Sequence, residues 1–398
     1  MVDRRLRSPA AVAAVIAGVY LLARLVTTGF FQLAATLSGP TSRFGADAGI
    51  ADLAMGWDSQ WYWLIAASGY PTELPVDDAG NVAENAWAFM PLYPFLARAL
   101  GTLVGGYPAG AILVSLVAGY VASVLLFHLL RPRIGTAAAL WAVAFFANGP
   151  LAALFQMGYA ESLFLVWLLL ALRELTKRRF GWLYLLIPLM GYTRPGVLAF
   201  ALLLGLYGIM RWFSRTRDRL PARHVVHIIA LGAWATVIGF SWQVITAIAT
   251  GDPSGYLETE LAWRRSWLGS EEGFVPLSGV ITAAAMWFGL WGMPEPVGYI
   301  ALGVLLAGVV AGLLSARVRA LGPEIRLWSV SYLVYLLAVF FPQSSTFRLL
   351  LPLTPLAGAF ALPTARWWRV GVLVLCVAGQ WWWIHEMLAR GDTFYRIP

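Results

Sequence analysis

The chain has 398 residues, of which 60% are hydrophobic and 12% are charged, and its formal net charge at pH 7 is +8. An average soluble domain carries about 25% charged residues, so this composition excludes a water-soluble globule. Several apolar runs reach the ~18 residues that can cross a bilayer, and the single cysteine, Cys376, excludes a disulfide framework or a cysteine zinc site. The sequence therefore predicts an all-α polytopic membrane protein.

The predicted elements begin with a first span over residues 11–37, which is too long for the core of a signal peptide. Residues 38–107 form a long acidic loop without a full span, and residues 108–130 cross back. Residues 134–172 are expected to cross twice, with a turn at Asn148-Gly149-Pro150.

Residues 181–210 also cross twice, and their turn is Thr193-Arg194-Pro195-Gly196. The limb before this turn is only about 20 Å long as a helix, so the turn is expected at membrane depth. A span over 224–250 then leads to a second loop, 251–296. Within it, 277–291 is apolar and is predicted to be interfacial or re-entrant.

Four further spans complete about eleven in one membrane domain, 1–398; they are 297–315, 327–341, 349–362 and 370–387. Basic residues collect between the apolar runs, which is typical of cytoplasmic ends. This orientation puts the N-terminus in the cytoplasm and both long loops outside, and it explains the positive charge without nucleic-acid binding. The basic clusters are Arg4, Arg5 and Arg7; Arg131 and Arg133; Arg173, Lys177, Arg178 and Arg179; Arg211, Arg215, Arg217, Arg219 and Arg223; Arg317, Arg319 and Arg326; and Arg366 and Arg369.

Acidic and tryptophan residues concentrate in the two external loops. An interfacial aromatic belt accounts for most of the tryptophans, but a catalytic face on the outer surface also accounts for the acids. The acids are Asp47, Asp52, Asp58, Glu73, Asp77, Asp78 and Glu84 in the first loop, and Asp252, Glu258, Glu260, Glu271 and Glu272 in the second.

The segment that starts at Trp57-Asp58 is predicted to be a short amphipathic helix at the interface. Its apolar stripe would be formed by Trp57, Trp61, Leu64 and Ile65, which follow helical spacing. Asp58 at its start is either a helix cap or, beside buried aromatics, a proton acceptor with a raised pKa.

Several charges lie at predicted membrane depth, where they are costly and usually functional. Glu161 follows Tyr159 at the start of an apolar helix, Arg194 lies in the intramembrane turn, and Arg348 begins a span. Snorkelling is the alternative for Arg348, and pairing with an acid is the alternative for Arg24 in the first span.

External carboxylates combined with embedded arginines suit group transfer from a lipid phosphate. The phosphate leaves as a stable anion that guanidinium groups can bind, whereas the incoming hydroxyl needs a general base. No segment is large enough for a nucleotide-binding domain. Arg264 and Arg265 of the second loop could hold lipid headgroups, and Glu84 precedes an aromatic-proline string.

At these residues the chain resembles the PIG-V family of mannosyltransferases within the GT-C superfamily of membrane glycosyltransferases. The matching elements are Trp57-Asp58, Ile65-Ala66, Gly69-Tyr70, Glu84, Trp87-Ala88-Phe89-Met90-Pro91, Tyr159-Ala160-Glu161-Ser162, Arg194-Pro195-Gly196, and Phe347-Arg348 with Pro352. The resemblance implies a GT-C fold and inverting transfer of mannose from a polyprenyl-phosphate donor at the external face of the membrane. The low lysine content suits a bacterial plasma membrane. The acceptor would be a lipid, a glycan or a protein. The resemblance implies no cofactor and no metal, although Asp58 with Glu84 could hold one ion.

In this interpretation Asp58 is the base, Glu84 orients the acceptor or the base, and Arg348 with Arg194 holds the donor phosphate. Other interpretations remain open: one is a GT-C transferase that uses another polyprenyl-phosphate sugar such as arabinose, and a second is a flippase or transporter of lipid-linked sugars. A structural membrane subunit is a third. Expected acceptor- or donor-binding residues are Trp57, Trp61, Tyr62, Tyr159, Glu161, Arg264 and Arg265.

Overall fold

The structure, a computed structural model, describes residues 8–268 and 273–398. The predicted basic residues Arg4, Arg5 and Arg7 and the acids Glu271 and Glu272 therefore lie outside the described residues. Within the described ranges the chain is helical, and its β-structure is limited to an isolated bridge between Val76 and Val82. The prediction of an all-α protein is confirmed.

Helices follow one another along the chain with short connections. In chain order the α-helices are α1 (Pro9–Leu37), α2 (Ile50–Ala54), α3 (Asp58–Ser68), α4 (Leu92–Val104), α5 (Tyr107–Ala147), α6 (Glu161–Thr176), α7 (Leu183–Gly191), α8 (Val197–Phe213), α9 (Ala222–Thr250), α10 (Gly255–Leu268), α11 (Ser278–Leu290), α12 (Glu295–Leu314), α13 (Ala316–Arg319), α14 (Pro323–Val339), α15 (Thr346–Leu349), α16 (Ala357–Ala361) and α17 (Arg366–Ile384). Short 3-10 segments lie at Ala86–Ala88, Ala152–Gln156, Phe180–Trp182, Leu351–Leu356 and Phe394–Arg396, and a π-helical turn, His385–Arg390, extends α17.

Five of the described helices are long and apolar enough to cross a membrane: α1, α5, α9, α12, and α17 with its extension. Many of their large apolar side chains are exposed, as expected of surfaces that face lipid rather than water. Helix α5 is broken at Gly135, whose φ of 79° is not helical. The break follows the basic pair Arg131 and Arg133, where the sequence predicts the chain to turn.

Shorter apolar helices fill the space between the spans. Helices α7 and α8 are separated at the predicted turn. Helix α7 ends at Gly191, and the turn runs through Arg194, which as the residue before a proline disfavours helical geometry. Gly196 then adopts a φ of 124° that favours glycine. Helix α11 covers most of 277–291; it is 13 residues long and packs against α12 and α14.

The predicted span over 349–362 is not a continuous helix. It consists of α15, the 3-10 segment Leu351–Leu356, and α16. Pro352 and Pro355 lack backbone N–H groups, and the carbonyl of Pro352 instead accepts a hydrogen bond from Trp328 Nε1 at 2.9 Å. Arg348 therefore lies on a four-residue helix beside this irregular segment rather than at the start of a regular span.

Arg24, in the middle of α1, is buried without the predicted acidic partner. Its guanidinium donates to the backbone carbonyls of Ala147 and Ala152, and to Gln156 Oε1 at 3.3 Å. These acceptors lie at the end of α5 and in the following 3-10 segment, which leave carbonyls unpaired. The buried charge therefore ties α1 to that turn.

Three hydrogen bonds hold the first loop against the second half of the chain. Arg265 Nη2 donates to the carbonyl of Val82 at 2.6 Å, and Asn85 Nδ2 donates to Thr259 Oγ1 at 2.8 Å. Trp242 Nε1 of α9 donates to the carbonyl oxygen of Trp87 at 2.8 Å. Helix α10 is thereby fixed beside the first loop.

Candidate active site

Helix α3 begins at Asp58 after a strained residue. Trp57 has φ 53° and ψ −124°, a conformation that costs on the order of 1–3 kcal/mol for a residue with a side chain. The Trp57 indole is held on the far side, where Nε1 donates to the carbonyl oxygen of Met387 at 3.0 Å and the ring meets Phe44 edge-on. The two adjacent side chains therefore lie apart: the Trp57 indole contacts Met387, whereas Asp58 lies in the wall of the cavity described below.

The buried face of α3 differs from the predicted stripe. Its buried residues are Ser59, Tyr62, Ile65 and Ala66, whereas Leu64 is exposed. A stripe chosen by hydrophobicity favours the aromatic residues of this helix, whereas packing buries the small Ser59 and Ala66 together with Tyr62. Tyr62 therefore faces the interior.

The carboxylate of Asp58 contacts the guanidinium of Arg348, 290 positions later in the chain. Both side chains are largely buried, at 19% and 12% exposure. Burial raises the pKa of the Asp58 carboxyl, and the Arg348 charge opposes this rise. The side chain of Asp58 is therefore engaged in an ion pair rather than in capping α3, and the backbone N–H of Asp58 donates to Tyr159 Oη at 3.4 Å.

Glu161 bridges the two arginines that the sequence singles out. Its Oε1 lies 2.9 Å from Arg194 Nη1 and 3.6 Å from Arg348 Nε, and its side chain is only 2% exposed. Glu161 is the first residue of α6, where the helix dipole favours a negative charge. The ring of Tyr159 lies under Arg348, with 5.4 Å between the guanidinium carbon and the ring centroid.

Two carboxylates and two guanidiniums thus form a compact, formally neutral cluster. Such a cluster offsets the desolvation cost of each buried charge. Among the described residues, Glu161 Oε2 and Arg348 Nε are buried and have no hydrogen-bond partner. Buried polar atoms are nearly always paired, and here the charge of each is met by the ion pairs of the cluster rather than by a hydrogen bond.

The cluster forms part of the wall of a cavity of about 710 Å³. This volume lies in the range of small-molecule sites, which are mostly apolar with a few convergent polar groups. Its polar lining includes Asp58, Arg194, Arg348 and Gln343, and its apolar lining includes Leu198, Ile238, Phe240, Leu336, Val339 and Phe340. The cavity can therefore hold a polar group at the ion-pair cluster with an apolar chain beside it.

Two further predicted residues also line this cavity. Tyr62 lies near the cluster, with its ring edge-on to Phe89 at 5.3 Å between centroids. Arg264 of α10 is 9% exposed and lies over the ring of Phe341, with 5.6 Å between the guanidinium carbon and the ring centroid.

Glu84 does not line the cavity. It is exposed on the first loop, although the protein around it and the nearby Asp58 carboxylate both raise its pKa. Within residues 8–268 and 273–398 no three His, Cys, Asp or Glu side chains are grouped as metal ligands. Glu84 is therefore close enough to Asp58 for the two charges to interact, but its side chain is not part of the cavity wall.

Three predicted residues have other partners. Trp57 packs toward Met387, Trp61 is stacked on Phe89 with 5.8 Å between centroids, and Arg265 forms an ion pair with Glu258 at 3.0 Å. None of these three is part of the cavity wall. Arg265 instead joins the two loops through Val82.

Beside the predicted Arg264, helix α10 contributes cavity residues that the sequence does not single out as site residues, among them Tyr256, Glu260 and Trp263. Tyr256, Glu260 and Arg264 follow one another at intervals of four and line the cavity together with Trp263. Residues four apart share a helix face, so the spacing within 255–268 is a signal that could have identified them.

No protein-family model matches the sequence, and no curated protein matches it. Two solved structures are similar to the chain, each with a TM-score of 0.45. One is ArnT from Cupriavidus metallidurans bound to undecaprenyl phosphate, with 15% identity over 89% of this chain and 62% of ArnT. The other is the Archaeoglobus fulgidus oligosaccharyltransferase tethered to an acceptor peptide containing the NVT sequon, with 12% identity over 96% of this chain and 55% of that protein. The chain spans less than two thirds of either protein.

Proposed function

We propose that the protein is a GT-C-type membrane glycosyltransferase that moves a mannosyl residue from a polyprenyl-phosphate donor to an acceptor hydroxyl. The observation that carries this proposal is the cluster in the cavity wall: one carboxylate, Asp58, in contact with Arg348 and close to Arg194. A base and two phosphate-binding groups at one point are what an inverting transfer from a lipid phosphate requires.

In the proposed reaction the acceptor oxygen attacks C1 of the donor sugar from the face opposite the phosphate. The new O–C1 bond forms as the bond from C1 to the phosphate oxygen breaks, and its electron pair leaves with the phosphate. The acceptor proton passes to the Asp58 carboxylate. General-base assistance of this kind contributes about 10²–10⁴-fold to the rate.

Arg348 has two successive partners in this scheme. In the absence of donor, the Arg348 guanidinium pairs with the Asp58 carboxylate and makes it a weaker base. A donor phosphate competes for the guanidinium, whose fork suits phosphate oxygens, and its arrival leaves Asp58 free as a base. Arg194, held by Glu161 at 2.9 Å, supplies the second positive charge.

The apolar part of the cavity wall supports a lipid-linked donor rather than a soluble one. Leu198, Phe240 and Val339 lie in the same cavity as the charged cluster. Burying an isoprenoid chain there removes apolar surface from water at about 25 cal/mol per Å². A soluble nucleotide-sugar would gain nothing from such a wall.

The choice of mannose, the external face and the plasma membrane rest on the sequence. The first-loop motif resembles the PIG-V family from Trp57-Asp58 to Pro91, and the basic clusters predict the orientation. Glu84 is proposed to orient the acceptor or the base from the first loop. The acceptor would be a lipid-linked, glycan or protein hydroxyl.

A donor panel tests the proposal. The protein would be purified, placed in lipid nanodiscs, and given polyprenyl-phosphate-linked [¹⁴C]mannose, arabinose or glucose, with a bacterial lipid extract as the acceptor pool. We expect label in a new glycoconjugate with the mannose donor, and about 10²–10⁴-fold slower labelling with Asp58→Asn. Transfer from arabinose alone would reassign the donor. Flipping of labelled lipid across sealed vesicles without transfer would overturn the proposal in favour of a transporter.

A further inference from the structure

Helix α10 presents a carboxylate and aromatic rings to the cavity, separate from the ion-pair cluster. Tyr256, Glu260 and Arg264 lie on one face of the helix, and Trp263 is beside them. This face belongs to the second loop, whereas Asp58 belongs to the first, and hydrogen bonds between the loops hold the two in place.

The Trp263 ring is fixed before any ligand arrives. Its centroid lies 6.0 Å from that of Trp61 and 5.9 Å from that of Phe89, with edge contacts to both. The ring is half-buried and lines the cavity. A pre-organised tryptophan offers a large flat apolar face at little cost in side-chain entropy, and such a face suits the C–H side of a pyranose.

The Glu260 side chain is exposed, and it lines the cavity. A carboxylate accepts hydrogen bonds from two neighbouring hydroxyls and repels a phosphate. Arg264 on the same face is only 9% exposed and its guanidinium lies over the Phe341 ring, so the Glu260 carboxylate is the more accessible charge. The α10 face therefore suits a neutral, hydroxyl-rich group, whereas Arg194 and Arg348 suit the anionic donor. The charges divide the cavity into two chemically different parts.

We infer that this face of α10 is the acceptor subsite, where Glu260 binds hydroxyls of an acceptor sugar whose ring lies on Trp263. The inference rests on the proposed function and specifies its acceptor class: a glycolipid with a neutral sugar headgroup and an apolar tail. An amide in place of the Glu260 carboxylate would keep one hydrogen-bond acceptor oxygen. It would lose the negative charge that strengthens the hydrogen bonds to the sugar hydroxyls.

Binding of n-octyl α-D-mannopyranoside tests the subsite without any donor. The full-length protein would be held in lipid nanodiscs free of glycoside detergents, because a maltoside detergent would occupy the same face. Calorimetric titration is expected to show saturable binding by the wild type, weakened by about tenfold or more in Glu260→Gln, since hydrogen bonds to a charged group are among the stronger ones. Glu260→Asp should recover part of the affinity.

Glu258→Gln is the matched control. Glu258 lies on the same helix but is not part of the cavity wall and pairs with Arg265 at 3.0 Å, so this variant should bind octyl mannoside as the wild type does. Trp263→Phe, which retains a ring in the aromatic packing, should weaken binding severalfold. In transfer assays Glu260→Gln should raise the acceptor KM and leave kcat and donor affinity unchanged.

The two proposals fail in different ways. Binding that weakens in Glu260→Gln, without transfer from any donor, would support the subsite and reject the transferase. Transfer with wild-type acceptor KM and octyl mannoside affinity in Glu260→Gln would reject the subsite alone. Absence of glycoside binding by the wild type would also overturn the subsite, and equal weakening by Glu258→Gln would assign the effect to the stability of α10.

Discussion

Arg348 contacts the carboxylate of Asp58 across 290 positions of sequence, and its Nε lies 3.6 Å from Glu161 Oε1. One guanidinium therefore joins the first loop, the start of α6 and the irregular segment before α16. This arrangement couples the protonation of Asp58 to the occupancy of the site, because any anion that binds Arg348 competes with Asp58.

Asp58→Asn is expected to reduce sugar transfer by about 10²–10⁴-fold, because the amide cannot accept the proton of the acceptor hydroxyl. Donor binding should persist or strengthen, since Arg348 no longer pairs with a carboxylate. Radiolabel transfer and donor titration in nanodiscs measure the two effects. Asp47→Asn, an exposed change in the same loop, is the control. Wild-type transfer by a folded Asp58→Asn protein would reject the assignment of the base.

Arg348→Ala should weaken donor binding by roughly 10–100-fold, the equivalent of losing a hydrogen bond to a charged group worth about 1.5–3 kcal/mol. Arg348→Lys should recover only part of this, because an ammonium lacks the guanidinium fork. Polyprenyl phosphate titration measures the affinity. Arg390→Ala is the control, since Arg390 is 45% exposed and pairs with Glu386. A larger effect on acceptor binding than on donor binding would reassign Arg348.

Glu161→Gln is expected to destabilise the fold by about 3–5 kcal/mol, because the buried Arg194 guanidinium loses its counter-charge and Arg348 keeps only Asp58. The melting temperature in nanodiscs, followed by tryptophan fluorescence, should fall clearly. An added polyprenyl phosphate should restore part of the loss, since its phosphate supplies the missing negative charge. The exposed Glu295→Gln change should have no such effect. An unchanged melting temperature would show that the ion pairs contribute little to stability.

Binding of octyl mannoside is expected to depend on pH near neutrality. Although the Glu260 side chain is exposed toward the cavity, the protein around its carboxyl displaces water and raises its pKa to about 7. The carboxylate that accepts hydrogen bonds is therefore present above this pH and is lost below it. Affinity should therefore rise as pH rises through about 7. The groups that act on Glu260 are Tyr256 on its own helix, which hydrogen-bonds to its carboxylate, and Tyr335 on α14; Arg264 lies four residues further along the same helix face. Tyr256 stays neutral because its pKa is raised well above 10.

The variant that identifies the titrating group is Glu260→Gln, in which the pH dependence should disappear. Asp58→Asn should retain it, because the raised pKa of Asp58 affects proton transfer rather than acceptor binding. A profile that survives in Glu260→Gln and vanishes in Asp58→Asn would assign the titration to Asp58.

Much of the site could be predicted because buried charge is rare in a membrane protein. Asp58, Glu161, Arg194 and Arg348 stand out against apolar surroundings, and the structure brings all four together. Arg24 is also a charge at membrane depth, but its guanidinium donates hydrogen bonds to backbone carbonyls and is not part of the site. A helix end offers such unpaired acceptors, and the sequence does not reveal them.

Glu260 escaped prediction for the opposite reason. On a loop helix with several other acids it resembles an ordinary solvated residue, and only the packing of α10 over the cavity gives it a function. Arg265, its near neighbour, looked equally available but faces Glu258 and Val82.

The class of protein, most of the helices and the turns around Asn148 and Arg194 follow from local sequence, because apolar runs, prolines and glycines act locally. The tertiary structure decided which charges meet. Asp58 and Arg348 are brought together by the bend at Trp57 and by the interruption of the helix at Pro352 and Pro355. Such contacts depend on the relative rotation and depth of several helices, which arise from packing across the whole chain and leave no signal at a fixed spacing.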